Sequence, residues 1–227
     1  MAFRKKAQAV LRMKPDILII QECEHKAKLA AELKIPEIES GIWIGNNKHK
    51  GIAVFAFNGI QIELSKNYNK EIEYFVPVRI ITKEKKRINL FAVWAMPFKG
   101  SKLKSYVGRV WAGINYYEKA LRQSSIVVGD LNSNAIWDKE RKVGNHNGVV
   151  NFLKEKGLES LYHKKYGVEH GQELHPTFYL YKNETKPYHM DYCFASQDLI
   201  SQHTDIEVGE YKEWIAWSDH MPIVVKS

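Results

Sequence analysis

Cysteine is scarce in this chain: Cys23 and Cys193 are the only two among 227 residues. They lie far apart beside strand-like sequence, and neither belongs to a CxxC pair. A Cys-rich zinc site and a disulfide framework are therefore excluded. One bridge stays formally open, with the reduced thiols of a cytoplasmic protein the simpler expectation. Long apolar runs are missing too, so no segment reads as a membrane span. Residues Met1 to Lys6 are basic and lack the apolar core of a signal peptide. No internal repeat, low-complexity tract or long linker interrupts the sequence. A GxGxxG pattern is also absent, which argues against a dinucleotide-binding fold.

What is present is the composition of a folded domain. Hydrophobic residues make up 44% of the chain, which disfavours disorder and allows a sizeable core. One domain over residues 1–227 is expected. Nothing points to an obligate protein partner or a membrane-binding helix, so a monomer is expected. The net charge of +8 suits a polyanionic partner, although the basic residues are spread thinly.

Periodicity orders the elements. Phe3, Ala7, Val10 and Leu11 recur at helical spacing, and Pro15 ends that helix. Ile17 to Ile20 reads as a buried strand running into Gln21-Glu22. A short helix over Lys26–Leu33 follows. Strands are expected at Ile42–Ile44, Gly51–Phe57, Ile60–Leu64, Ile72–Ile80 and Arg87–Ala95. Asn58-Gly59 signals a hairpin, and Lys83–Arg87 the tip of another. From Leu103 to Leu121 one helical stripe carries Val107, Val110, Trp111, Ile114, Tyr117 and Leu121. Ser125–Val128 is a buried strand, and Val149–Leu153 marks a helix capped at Gly157. Thr177–Tyr181, Met190–Phe194, Ile206–Val208 and Met221–Val225 complete the strands. Hairpins interleaved with a few helices predict an α+β fold with two packed, mostly antiparallel sheets and helices on the outer faces.

Polar residues gather at strand ends. In Ser125–Asn134, four strand residues run into Gly129, followed by Asp130 and Asn132. Residues two apart on an extended segment share a face, so this pair is placed to meet one ligand. A carboxylate beside an amide suits a hydrated metal and a phosphate, although Gly, Asp and Asn are also ordinary turn residues. Glu22 ends the first apolar strand, and Asp219-His220 precede the last. Asp191 sits within His189-Met190-Asp191-Tyr192-Cys193-Phe194, where a carboxylate is costly unless paired or bound to a cation. Asp219 beside His220 suggests a carboxylate orienting an imidazole, but such partners are usually distant in sequence.

In order and approximate spacing, Gln21-Glu22, Gly129-Asp130-Leu131-Asn132, Met190-Asp191-Tyr192 and Ser218-Asp219-His220 resemble the motifs of the endonuclease/exonuclease/phosphatase superfamily. This superfamily includes deoxyribonuclease I, exonuclease III and the AP endonucleases. His175-Pro176-Thr177-Phe178 and the aromatic helix before Asp130 agree with the resemblance, which spans almost the whole chain. It implies a four-layer α/β/β/α sandwich and a Mg2+- or Mn2+-dependent phosphodiester hydrolase, nearest to a DNA-repair nuclease. By the same resemblance, Glu22 and Asp219 bind metal, Asp130 positions or deprotonates water, and Asn132 holds the scissile phosphate. Asp191 completes the polar site, Asp219 orients His220, and His220 bonds a phosphate oxygen.

The sequence also departs from the pattern. The superfamily's first strand, ending in asparagine, has no counterpart, so an upstream reading frame encoding it is expected. Trp94 stands where relatives place a Tyr or His, and is weighed as a stacking residue against a core residue. His189 replaces an Arg and is expected at the substrate. Lys48, Lys50, Lys99, Lys102, Lys104 and Arg109 are expected to grip a nucleic-acid backbone, or else to be solvated surface charges. A phosphatase or phosphodiesterase of the same fold, acting on phosphoinositide, sphingomyelin or nucleotide, is the second reading. A silent binding module is the third.

Overall fold

In the computed structural model, which describes residues 2–97, 106–139 and 144–227, β1 (Ile17–Cys23), β2 (Ile42–Asn47) and β3 (Lys50–Ala56) form an antiparallel sheet ordered β1-β3-β2. The second sheet begins with β4 (Gln61–Leu64), β5 (Phe75–Ile81), β6 (Arg87–Trp94), β7 (Ser125–Asp130) and β8 (Leu158–Ser160). After a ribbon of β9 (Phe178–Tyr179) and β10 (Pro187–Tyr188), β11 (Asp191–Ser196) inserts between β7 and β8. The order is then β4-β5-β6-β7-β11-β8. β12 (Asp205–Val208) and β13 (Ile223–Lys226) pair with each other.

Strand alternation builds the layers. Ile52 and Val54 of β3 meet Val76, Val78, Ile80, Leu90 and Ala92 of the six-stranded sheet. Their neighbours Ala53 and Phe55 face outward onto α1 (Ala7–Leu11), α2 (Lys26–Leu33) and α3 (Pro36–Ser40) through Ala7, Leu29 and Ile38. On the far face of the six-stranded sheet, Phe75, Phe91 and Val127 pack on Val110 and Ile114 of α4 (Tyr106–Tyr116). Leu121 of α5 (Glu118–Leu121) and Leu153 of α6 (His146–Glu155) complete that layer. The result is the expected helix–sheet–sheet–helix sandwich. Among the described residues no helix is long and apolar enough to cross a membrane.

β6 and β7 are the parallel pair, with Trp94 opposite Asp130. A parallel pair needs a crossover, and α4 and α5 lie within it. That crossover brings the C-terminal ends of β6 and β7 to one rim. The predicted stripe Val107–Leu121 survives, but the helix breaks at Tyr117 into α4 and α5. Leu103 lies outside the described residues.

Several expectations change. Asn58-Gly59 does make a turn with both φ angles positive (55° and 78°), yet it is not a hairpin. β3 already has β1 and β2 on its two edges, so β4 crosses to the other sheet and pairs with β5. Ile72 belongs to a 3-10 turn, with β5 starting at Phe75. The sequence reading missed α3, β8, α7 (Leu161–Tyr166), β10 and α8 (Tyr211–Trp214). These elements are too short for periodicity to register.

Candidate active site

Gly129 prepares the rim. Its φ is +137°, and a Cβ there would lie 2.0 Å from Val93 O, so a side chain would push β6 and β7 apart. Gln21 Nε2 donates to the same Val93 O at 3.2 Å, tying the end of β1 to β6. Asp130 follows, buried, directly opposite Asp191 in the β7–β11 register. Asn132 reaches Asp130 by a different route from strand alternation. Its φ is +45°, and the chain turns back so that Asn132 N donates to Asp130 Oδ1 (2.7 Å) and Nδ2 to Oδ2 (2.8 Å). A further bond from Nδ2 to Ala95 O, at 3.0 Å, locks the turn to β6. Both carboxylate oxygens of Asp130 are thus held.

Across the rim, Asp191 Oδ2 lies 2.8 Å from His220 Nδ1. This corrects the expectation that Asp219 orients His220. Successive side chains of extended backbone diverge, and the bonded carboxylate comes from a strand elsewhere in the sequence. Thr177 supports the pair: its Oγ1 accepts from Met190 N (2.9 Å) and Asp191 N (3.0 Å), and its carbonyl accepts from Met221 N (2.7 Å). Asp219 remains half-buried beside them.

Glu22 is paired with Lys50 at 2.8 Å and has φ +55°. Its charge reaches Asp130 and Lys6, which places the end of β1 in the same electrostatic neighbourhood. Lys6, which the sequence reading missed, points its Nζ at Ser218 Oγ (3.3 Å) among Asp219, Asp191 and Glu22. Only a basic helix was legible there, and no local signal marks which lysine turns inward.

Other expectations fail. Of the two roles weighed for Trp94 the structure shows the core one: it is buried between the sheets and packs on Tyr74, with ring centroids 4.8 Å apart. His189 is buried too, with Nδ1 on His175 O at 2.7 Å, and does not face the rim. Arg109 is no surface grip: its guanidinium is buried over Tyr74 and bonds to Met96 O and Pro97 O. Lys48 and Lys50 are exposed. Lys99, Lys102 and Lys104 lie outside the described residues. A groove of about 220 Å³ opens beside Asn132, lined also by Tyr106, Trp137 and Asn145. Trp137 is partly exposed and packs on Tyr188 at 5.3 Å.

The titration directions follow from this packing. Burial raises the proton affinity of Asp130, and the Asp191 charge opposite raises it further. Burial opposes a charged His220 ring, but the charge and hydrogen bond of Asp191 outweigh it and lift the ring to about 9. His220 is therefore an imidazolium at neutral pH. Partial burial opposes ionisation of Glu22, and Lys50 overcomes it. Burial lowers Lys6, against the nearby carboxylates.

This donor set fits a hard divalent cation. Burial first, and then the charge of Asp191 opposite, make Asp130 hold its proton more tightly, and a cation would relieve the second of these. Glu22 and Asp219, both partly accessible, are the carboxylates open to it.

No protein-family model matches the sequence, and no curated protein matches it. Solved structures do. The chain resembles the 3'-5' exonuclease NExo from Neisseria meningitidis, at 15% identity and TM-score 0.66, over 99% of this chain and 94% of that one. An AP endonuclease from Archaeoglobus fulgidus matches at 20% identity and TM-score 0.62, over 99% and 95%. The endonuclease domain of TRAS1, a telomere-specific non-LTR retrotransposon, matches at 19% identity and TM-score 0.64, over 98% and 89%. At these identities the likeness is one of fold, and the chain has the fold of the endonuclease/exonuclease/phosphatase proteins.

Proposed function

We propose that this chain is a divalent-metal-dependent phosphodiester hydrolase acting on nucleic acid, with DNA as its first substrate class. The observation that carries this reading is the Asp191–His220 pair, 2.8 Å apart, facing Asp130 across the rim. In this reading Asp130 takes the proton of the attacking water. The two Asn132 donors aim its carboxylate, and its raised proton affinity makes it a competent base. His220, bonded through Nδ1 to Asp191, offers Nε2–H to a non-bridging phosphoryl oxygen, where charge grows in the transition state. Asn132 steadies the phosphate, and Lys6 adds positive charge near Ser218. Mg2+ or Mn2+ bound by Glu22 and Asp219 would supply Lewis-acid polarisation of the phosphoryl group.

Two further observations favour nucleic acid over a small phosphoester. The chain is basic overall, and the groove beside Asn132 presents Tyr106 and Trp137, faces on which bases stack. The NExo structure has also been determined as a 3' phosphatase bound to a product DNA hairpin. Both cysteines are free and buried, which suits a reducing, cytoplasmic setting. The deciding experiment compares abasic duplex, plain DNA, RNA and an inositol phosphate, each with Mg2+, Mn2+ or EDTA. Cation-dependent cleavage of a polynucleotide that weakens steeply with salt is expected. Turnover of the inositol phosphate alone would overturn the nucleic-acid reading.

We also infer that residues 1–227 act as one domain that accepts one further strand. Among the described residues β1 pairs only with β3, and β13 only with β12. Both edges border Ile126 and Val128 of β7, which pack with Ile17 and Ile19 on one side and Val208 and Ile223 on the other. Those two residues stay half-buried although β7 lies inside its sheet. A strand laid over them would pair both open edges. An N-terminal extension carrying an apolar strand that ends in Asn should raise both Tm and activity. An unchanged Tm would refute this.

A further inference from the structure

A second polar cluster lies on the other side of β11 from the candidate active site, and the proposed hydrolysis does not use it. Asp191 faces His220, whereas the next residue, Tyr192, turns into a nest of imidazoles. His163 comes from α7, His146 from the start of α6, and His170 and Glu173 from the segment joining α7 to β9. One donor atom from each of His163, His170 and Glu173 lies within 4.8 Å of the other two. His163 Nε2 is 3.2 Å from Glu173 Oε1. A tetrahedral zinc ion with bonds of about 2.0–2.1 Å places its ligands about 3.3 Å apart.

The surroundings resemble the support that a metal centre needs. His163 Nδ1 is held by Ser160 Oγ at 2.7 Å. His170 Nδ1 meets His146 Nε2 at 3.0 Å, and His146 Nδ1 meets Ser133 Oγ at 2.9 Å. In each ligand ring Nδ1 is fixed by a neighbour, and an ion taken up between His163 Nε2 and Glu173 Oε1 would replace the bond they now make. Glu173 is steadied by Asn134 Nδ2 (3.0 Å) and Gly171 N (3.1 Å). Its side chain is 4% exposed, and among the described residues its ion-pair partner is His163, with no lysine or arginine. A buried carboxylate with no permanent cation is unusual. An independent sign of unfilled polar demand is His189, 4% exposed, whose Nε2 has no hydrogen-bond partner. Its ring lies among those of Tyr162, His163 and Tyr192.

We propose that His163, His170 and Glu173 bind one Zn2+ ion, with water in the fourth position, as a structural staple. Two imidazoles and one carboxylate suit zinc rather than the hard cation expected at the rim. The staple joins α7 to residues 167–175, which otherwise carry no helix or strand. That segment leads through Pro176 to Thr177, the residue that holds Asp191. The zinc site thus steadies the candidate catalytic pair from behind without touching substrate.

The test uses the purified full chain stripped with chelator, and its readouts do not depend on the hydrolase reading. One equivalent of Zn2+ per chain should be retained by elemental analysis and raise Tm by several degrees. Co2+ in its place should give the visible absorption of a tetrahedral N/O site. Glu173→Gln, which keeps the size and shape of the side chain but turns one of its two acceptor oxygens into a donor, and His170→Gln should each weaken binding more than tenfold. Glu22→Gln, at the rim, should leave the zinc equivalent unchanged. If His170→Gln fails to fold, Glu173→Gln and the wild-type Co2+ spectrum still decide. Absence of a tetrahedral Co2+ spectrum, or loss of zinc with Glu22→Gln rather than with Glu173→Gln, would overturn the proposal.

Discussion

Two polar clusters share one strand and differ in almost every physical respect. On the rim, Asp130, Asp191, Glu22 and Asp219 concentrate negative charge near His220 and Lys6. Behind Tyr192, burial drives His146 down to about 4 and His170 to about 3, so these rings are neutral at neutral pH, with Glu173 among them and Asp138 beside His146. Adjacent residues of β11 point to opposite faces, so Asp191 serves the first cluster and Tyr192 the second. The loop after β7 divides in the same way: Asn132 binds Asp130, and Asn134 binds Glu173 and Tyr192. The difference indicates that a charged, accessible site suits turnover of an anion, whereas a buried imidazole nest suits permanent cross-linking.

The largest way to break the comparison is at the rim. Asp130→Ala should cut hydrolysis by at least about two orders of magnitude, while the zinc content of the buried cluster stays intact. EDTA should abolish turnover, and Mg2+ should restore it. Gly129→Ala comes next. Its Cβ would meet Val93 O and Gln21 Nε2, so destabilisation of more than about 2 kcal/mol is expected in urea unfolding, with activity lost alongside.

The His220–Asp191 pair gives a pH test of the contrast. The ring is raised in the folded state, so its stabilising effect is complete below its ordinary value of 6.5 and is lost as pH rises through about 9. Tm of the wild type should therefore fall more steeply toward alkaline pH than that of His220→Gln. Activity should fall over the same range if the imidazolium is the donor. Parallel curves would remove His220 from its assigned role. The smallest effect belongs to Lys50→Met. Lys50 and Glu22 are exposed enough that stability should change by less than about 1 kcal/mol, while the Mg2+ requirement shifts a few-fold as Glu22 loses its bond to Lys50.

Much of this was legible without coordinates. The strands that carry Glu22 and Asp130 toward their ends and Asp191 at its start, the helical stripe from Val107 to Leu121 and the sandwich all follow from apolar patterning, which reports burial directly. The motif order pointed to the rim because its residues sit at strand ends. What failed was partner choice. Trp94 looked able to stack on a base, Arg109 looked like a phosphate grip, and Asp219 looked like the partner of His220, because sequence gives neighbours along the chain and not across the sheet.

The sequence by itself determined the longer strands, their buried faces and the stock of carboxylates and imidazoles, since period and polarity are local properties. Only the tertiary structure decided that Asp191 faces His220, that Lys6 joins them, and that His163, His170 and Glu173 meet. The rim pairings depend on strand register and the parallel β6–β7 crossover, whereas His163, His170 and Glu173 meet because the chain folds back directly after α7.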